Sequence, residues 1–196
     1  MATLSYLMLM SLDGFIEDEG GNFDWAAPDD EVHAFINDLV RPAGTHLYGR
    51  RMYETMSAWE DVSNILSPPQ ANQDSGALAQ AAQDFAELWQ AADKIVYSST
   101  LQTVSTRRTR LEGAFHPGAV EALKQSLDHD ILIGGPAIAA EAFKAGLVDQ
   151  CDLFVAPVSV GGGKPALPPG LRLDFELVEQ RRFEGGFVYL RYRTRV

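Results

Sequence analysis

The chain has 196 residues, of which 46% are hydrophobic and 22% charged, so a single domain spanning residues 1–196 is expected to bury a sizeable core. The 16 Lys and Arg residues against 27 Asp and Glu give a net charge of −11, which argues against binding to nucleic acid or to an anionic membrane. Cys151 is the one cysteine, which excludes a disulfide framework and multi-cysteine metal sites. The apolar run at residues 6–10 is too short for a signal peptide, and charges, glycines and a proline interrupt the apolar segment 131–148. We therefore expect a cytoplasmic protein that holds no metal.

Strands and helices are predicted to alternate along most of the chain. Apolar runs predict strands at residues 3–10, 45–48, 94–98, 130–133 and 151–158. Helical periodicity and helix-start signals predict helices at residues 29–40, about 50–58, 77–92, 117–127 and 137–145. This alternation favours an α/β fold with a mostly parallel sheet and helices on both faces. Residues 174–183 and 187–195 read as an antiparallel hairpin, and residues 63–76 and 161–170 as surface loops.

Three of the predicted strands end in residues that suit phosphate groups. Gly134 and Gly135 precede a helix start, where backbone N–H groups and the helix dipole favour an anion. Arg50 and Arg51 open the helix after Gly49, and hydroxyls at residues 98 and 99 follow another strand. Taken singly, these segments are better explained as a tight turn, a solvated basic turn and a capping hydroxyl. Because ligands bind at the carboxyl ends of parallel strands, the three together predict a nucleotide that carries several phosphates.

Two further segments have both a structural and a functional interpretation. SLDGFI, at residues 11–16, is either a plain turn or a loop that contacts a ligand. In FDWAAPDDE, at residues 23–31, Asp30 could hydrogen-bond a heterocycle or donate a proton, although the helix dipole alone explains an acidic residue there. No serine-hydrolase elbow occurs, the four histidines lack metal-ligand spacing, and Cys151 is expected to be an inert buried thiol.

These segments, in this order, resemble the dihydrofolate reductase superfamily. The similarity is greatest to the reductase domain of the bifunctional riboflavin-biosynthesis deaminase/reductase and to its stand-alone bacterial relatives. It rests on SLDGFI, LYGRRMYE, KIVYSSTL, ILIGGPAIAAEAFKAGLVDQCDLFVAPVSVGGG and the C-terminal hairpin, which together span nearly the whole chain. The resemblance implies a dihydrofolate reductase-like three-layer sandwich with a mostly parallel central sheet.

The resemblance also implies NADPH as cofactor and a set of binding residues. The 2′-phosphate would be met by Gly49, Arg50, Arg51, Met52, Ser98 and Ser99. The pyrophosphate and the nicotinamide side of NADPH would be contacted by Gly134, Gly135, Pro136, Ala137 and Ile138, and Ile16 would lie near the nicotinamide ring. Asp30, five residues after Trp25, occupies the position of the acid that binds the pterin in dihydrofolate reductases.

The implied activity is that of an NADPH-dependent reductase of the riboflavin-biosynthesis type, similar to 5-amino-6-(5-phosphoribosylamino)uracil reductase. Hydride would pass to a small heterocyclic or ribose-linked substrate, with the proton coming from Asp30 or from water. A dihydrofolate or other pterin reductase, and a non-catalytic nucleotide-binding protein with the same fold, remain alternatives. No zinc-deaminase signature occurs. The aromatic C-terminal hairpin could leave an apolar face or an edge strand exposed, so we expect a homodimer.

Overall fold

The computed structural model describes residues 1–61, 63 and 75–195. Its strands are β1 (Leu4–Met10), β2 (Phe15–Glu17), β3 (Ala43–Gly49), β4 (Asp93–Tyr97), β5 (Thr109–Glu112), β6 (Asp130–Gly134), β7 (Gln150–Val155), β8 (Lys164–Pro165), β9 (Asp174–Arg182) and β10 (Val188–Arg195). Its helices are α1 (Asp30–Val40), α2 (Arg50–Met56), α3 (Ser75–Ala91), α4 (Pro117–Ser126) and α5 (Pro136–Lys144). Short 3-10 turns lie at Asp24–Ala26 and Ser57–Glu60. Most of the loop predicted at residues 63–76 lies outside the described residues.

Eight strands form one sheet in the order β5-β4-β3-β6-β1-β7-β10-β9. The pairs from β5 to β7 are parallel, whereas β10 runs antiparallel to both β7 and β9. The α/β fold with a mostly parallel sheet and an antiparallel C-terminal hairpin is therefore confirmed. Three strands were not predicted. β5 is a four-residue strand beside β4 at the sheet edge, and β2 and β8 form a separate two-stranded sheet.

The core lies in two layers, one on each face of the large sheet. Side chains of α1 and α3, among them Val32, Ile36 and Trp89, pack on one face. Side chains of α4 and α5, including Val120 and Phe143, pack on the other. Cys151 is fully buried in this second layer, as predicted, and burial raises the pKa of its thiol. In the described part of the chain, no helix is long and apolar enough to cross a membrane.

The register of the parallel strands aligns the turns that follow them. Tyr48 pairs with Gly134, and Gly49 pairs with Tyr97. The turn before α2, the turn after β4 and the turn before α5 therefore lie at the same edge of the sheet. Because parallel strands end together, this edge is the one at which α/β proteins bind their ligands.

Candidate functional site

A cavity of about 550 Å³ lies at this edge of the sheet. Of the predicted site residues, Ile16, Gly49, Arg50, Arg51, Met52, Gly135, Pro136, Ala137 and Ile138 line it. The first loop, the start of α2 and the start of α5 are thus brought together around one space. Most of the rest of the wall is apolar, from Met8, Leu9, Phe23, Ala26, Ala27 and Pro28. The sequence located most of this site through motifs that are far apart along the chain.

The glycine pair before α5 is required by close packing as well as by backbone conformation. Gly135 has a φ of 94°, a region that L side chains rarely adopt. A Cβ at Gly134 would lie 2.8 Å from Cε1 of Tyr48, and one at Gly135 would lie 3.0 Å from Cβ of Met52. Gly135 is the N-cap of α5 and Pro136 its first residue, and among the described residues no side chain caps this helix. The α5 start therefore presents uncapped N–H groups to the cavity.

Both arginines at the start of α2 already contact carboxylates. Arg50 Nε donates to Glu54 Oε1 at 2.8 Å, and its Nη1 donates to Thr100 Oγ1 at 3.1 Å. Arg51 Nη1 lies 3.4 Å from Glu17 Oε1. The Arg51 side chain is 78% exposed and that of Arg50 is 48% exposed, so these ion pairs contribute little stability and can exchange for a phosphate. Each guanidinium has five N–H donors, which leaves others for a ligand.

The two serines after β4 do not line the cavity. The Ser98 hydroxyl accepts the backbone N–H groups of Thr100 at 3.2 Å and Leu101 at 3.0 Å, so it caps the turn. Ser99 is exposed. Thr100 is the hydroxyl that reaches Arg50, and the turn therefore adjoins the arginine end of the cavity. A phosphate-binding role for Ser98 and Ser99 stays a prediction, as does one for Gly134, which packs behind the cavity wall.

Asp13 fixes the first loop in place. Its carboxylate accepts the Ser11 hydroxyl at 2.6 Å, the Ser159 hydroxyl at 2.9 Å and the Gly161 N–H at 2.7 Å. These hydrogen bonds, that of Ser11 foremost, hold the pKa of Asp13 well below its usual range. SLDGFI is therefore a turn tied to the segment after β7, and it carries Ile16 to the cavity. The interpretation as a turn is therefore confirmed, and a ligand contact by Ile16 stays a prediction.

Asp30 is not among the residues that line the cavity. It is the first residue of α1 and is exposed, whereas Asp29 caps the helix by accepting the N–H of Val32 at 2.8 Å. The carboxylates that do line the cavity are Asp24, in the 3-10 turn before α1, and Glu17 in β2. The role predicted for Asp30 stays a prediction, and no finding tests it.

Sequence reasoning missed several lining residues. These are Glu17, Asp24, Thr55 and Lys164, together with Phe23 and the other apolar positions. Phe23 and Asp24 lie in the segment that contains Asp30, so the sequence indicated the segment but not which of its residues line the cavity. Glu17 and Lys164 come together through the pairing of β2 with β8, which no local pattern indicates.

Comparisons with known proteins agree with this architecture. Residues 2–189 match the family model of the RibD C-terminal domain. The uncharacterized protein YyaP of Bacillus subtilis (strain 168) is 27% identical over 190 residues, which cover 94% of this chain and 91% of that protein.

Three solved structures share the fold. A putative riboflavin biosynthesis protein from Shewanella sp. PV-4 has a TM-score of 0.72 at 18% identity, with both chains fully covered. The diaminohydroxyphosphoribosylaminopyrimidine deaminase/5-amino-6-(5-phosphoribosylamino)uracil reductase of Thermotoga maritima has a TM-score of 0.63 at 15% identity, over 99% of this chain and 57% of that one. Dihydrofolate reductase from Enterococcus faecalis, complexed with NADP(H) and RAB-propyl, has a TM-score of 0.60 at 14% identity, over 99% and 97%. The chain therefore belongs to the RibD C-terminal domain family and has a dihydrofolate reductase-like fold.

Proposed function

We propose that this protein is an NADPH-dependent reductase of the riboflavin-biosynthesis type, which transfers hydride to a small heterocyclic or ribose-linked substrate. The observation that carries the proposal is the cavity at the carboxyl edge of the sheet. There an uncapped helix start, two arginines and an apolar wall surround one space. Membership of the RibD C-terminal domain family supports a reductase, and the NADP(H) complex of a protein with the same fold supports the choice of cofactor.

The residues around the cavity fit the parts of NADPH. Gly135 lines the cavity and carries no side chain that could keep a pyrophosphate from the backbone at the start of α5. Arg50 and Arg51 suit the 2′-phosphate, since exposed ion pairs are readily exchanged for a doubly charged phosphate. Ile16, on the loop that Asp13 anchors, provides an apolar contact for the nicotinamide. When bound, NADPH supplies the hydride.

The chain itself positions the reactants and excludes water. Met8, Leu9, Phe23 and Pro28 form an apolar wall against which a flat ring can lie, which orients its electrophilic carbon. The proton that follows the hydride comes from Asp30, from Asp24 at the cavity wall or from water. The arrangement does not add support for a pterin reductase, because the acid that such an enzyme would use in this segment, Asp30, is exposed and is not among the residues that line the cavity.

Cofactor titration followed by turnover tests the proposal. NADPH is expected to quench the fluorescence of the three tryptophans saturably and at lower concentration than NADH. Oxidation of NADPH is then followed at 340 nm with 5-amino-6-(5-phosphoribosylamino)uracil, its dephosphorylated form and dihydrofolate in parallel. Turnover of either aminopyrimidine supports the riboflavin-type reductase. Cofactor binding without turnover of any compound would favour the non-catalytic alternative, and absence of NADPH binding would refute the proposal.

We also propose that two copies form a homodimer through β9. This strand is the edge of the sheet, and Leu177 and Val178 are about half exposed at its centre. Acidic residues lie at the start of β9 and arginines at its end. Antiparallel pairing of two copies of β9 therefore places Asp174 of each copy opposite Arg182 of the other, so that opposite charges face each other along the paired edges. Light scattering should give twice the 21.5 kDa chain mass, and Val178→Lys, which places like charges at the two-fold axis, should give the monomer. A monomeric wild-type chain at micromolar concentration would contradict this.

A further inference from the structure

One carboxylate at the cavity wall faces two cations. Glu17 Oε1 lies 3.4 Å from Arg51 Nη1 and 3.9 Å from Lys164 Nζ, and all three residues line the cavity. Glu17 is 23% exposed and Lys164 27%, which makes this the less solvated end of the cluster. Charges that are partly withdrawn from water interact more strongly than those on the open surface.

Backbone pairing, rather than a chance meeting of long side chains, places Glu17 beside Lys164. Glu17 of β2 is the registered partner of Lys164 in β8. The two strands approach so closely that a Cβ at Gly163 would lie 1.9 Å from the Glu17 carbonyl oxygen. Gly163 has a φ of 138°, so glycine is required there for both reasons. The carboxylate and the ammonium group are therefore held as a cross-strand pair of opposite charge.

The cations at the cavity are balanced by the chain's own acids. Among the described residues, three cations line the cavity, and all three have a carboxylate partner: Glu54 for Arg50, and Glu17 for Arg51 and Lys164. Asp24 adds a further negative charge to the lining. The sequence of residues 62, 64–74 and 196 contains no Lys or Arg, so these residues add no cation to the count.

We propose that Glu17 is a specificity-determining residue that excludes phosphorylated substrates, and that the substrate is an uncharged flat heterocycle without a phosphate group. This inference rests on the proposed function. NADPH brings three phosphate groups, which engage the arginines and the start of α5. The one lining cation outside that arginine pair, Lys164, is neutralised by Glu17. A phosphate group on the substrate would then lie close to Glu17, Asp24 and the cofactor phosphates, where like charges repel it. An apolar ring without a phosphate gains free energy when it is buried against Met8, Leu9 and Phe23, and it is not repelled by these negative charges.

Phosphate titration of the NADP⁺-saturated protein tests the role of Glu17. Ribose 5-phosphate and inorganic phosphate are titrated separately by calorimetry into the wild type and into Glu17→Gln. We expect the wild type to show no saturable, Lys164-dependent binding of either phosphate compound at millimolar concentrations. Glu17→Gln is expected to gain such binding by at least about tenfold, the change that one charge-assisted hydrogen bond gives. Adding Lys164→Ala to Glu17→Gln should remove the gain.

A matched control separates local from general charge effects. Glu19→Gln removes the same charge from an exposed residue two positions further along, outside the cavity lining, and is expected to leave phosphate binding unchanged. Saturable phosphate binding by the wild type that Lys164→Ala abolishes would overturn the inference. Absence of a gain in Glu17→Gln would overturn it as well, and so would turnover of 5-amino-6-(5-phosphoribosylamino)uracil, which carries a phosphate group. The protein is saturated with NADP⁺ before the phosphate titration, and this first step tests the proposed function alone. Failure to bind NADP⁺ is therefore distinguishable from either phosphate result.

Discussion

Replacement of Arg50 by alanine should weaken NADPH and spare NADH. In the free protein Arg50 donates to Glu54 at 2.8 Å and to Thr100 at 3.1 Å, and its side chain is 48% exposed. A charge-assisted hydrogen bond contributes about 1.5–3 kcal/mol. Because Glu54 competes with the 2′-phosphate for Arg50 and the side chain is half solvated, we expect the lower end, about 1.5 kcal/mol or a tenfold rise in the Kd for NADPH. NADH lacks the 2′-phosphate, so its Kd should change by less than about twofold.

Two matched variants make the Arg50 measurement specific. Glu54→Gln removes the competing carboxylate and should tighten NADPH slightly, while leaving NADH unchanged. Arg172→Ala removes an exposed arginine that pairs with Asp174 outside the cavity lining, and it should alter neither cofactor. Tryptophan quenching gives both dissociation constants for each variant at one ionic strength, which must be fixed because salt screens these charges. An equal loss for NADPH and NADH in Arg50→Ala would refute the assignment of the 2′-phosphate to this turn.

Three other perturbations test separate parts of the structure. Gly163→Ala forces a Cβ against the Glu17 carbonyl oxygen at a positive φ, so it should lower the urea midpoint and reduce NADPH affinity by tenfold or more; normal affinity would show that the pairing of β2 with β8 is dispensable for binding. Asp30→Asn is predicted to lower kcat/KM by roughly ten- to a thousandfold with NADPH affinity intact, the range of a positioned acid–base group. If Asp24→Asn gives this loss and Asp30→Asn none, Asp24 is the functional acid. Burial lowers the pKa of Lys94 to about 8, so the unfolded chain holds more protons between pH 8 and about 10 and stability should rise with pH there. Lys94→Met should flatten that rise in urea unfolding at pH 7.5, 8.5 and 9.5, and an unchanged slope would contradict it.

The large sheet could be predicted because each of its central strands is signalled locally. β1, β3, β4 and β6 are short apolar runs, each bounded by a turn or a helix start, and these signals do not depend on distant residues. Their carboxyl ends could then be placed together by the rule for parallel sheets. β5 was missed because it is a four-residue edge strand with the pattern TRLE, and it exists through its pairing with β4. Whether such a strand forms depends on pairing with its neighbour more than on its own sequence.

The part of the site that sequence reasoning missed depends on contacts between distant segments. Glu17 and Lys164 are separated by almost the whole cofactor-binding region in sequence, and their pairing needs the close approach of β2 and β8 at Gly163. A Gly-Gly-Gly-Lys run predicts a loop but not what it packs against. The balance of charge in the cavity, and with it the inference about substrate class, was therefore accessible only once the two strands had been placed.

The segment before α1 shows how a motif can locate a site without deciding which of its carboxylates acts there. The stretch from Trp25 to Asp30 resembles the segment that carries the pterin-binding acid of dihydrofolate reductases, and α1 begins within one residue of its predicted start. The rotation of α1 about its axis, however, is set by Val32, Ile36 and Val40, which pack into the core. Asp30 is three residues before the buried His33 and seven before the buried Asn37, yet as the first residue of the helix it is exposed and lies outside the cavity lining. Asp24, in the 3-10 turn before the helix, does line the cavity, so the comparison of Asp24→Asn with Asp30→Asn decides which carboxylate acts on the substrate.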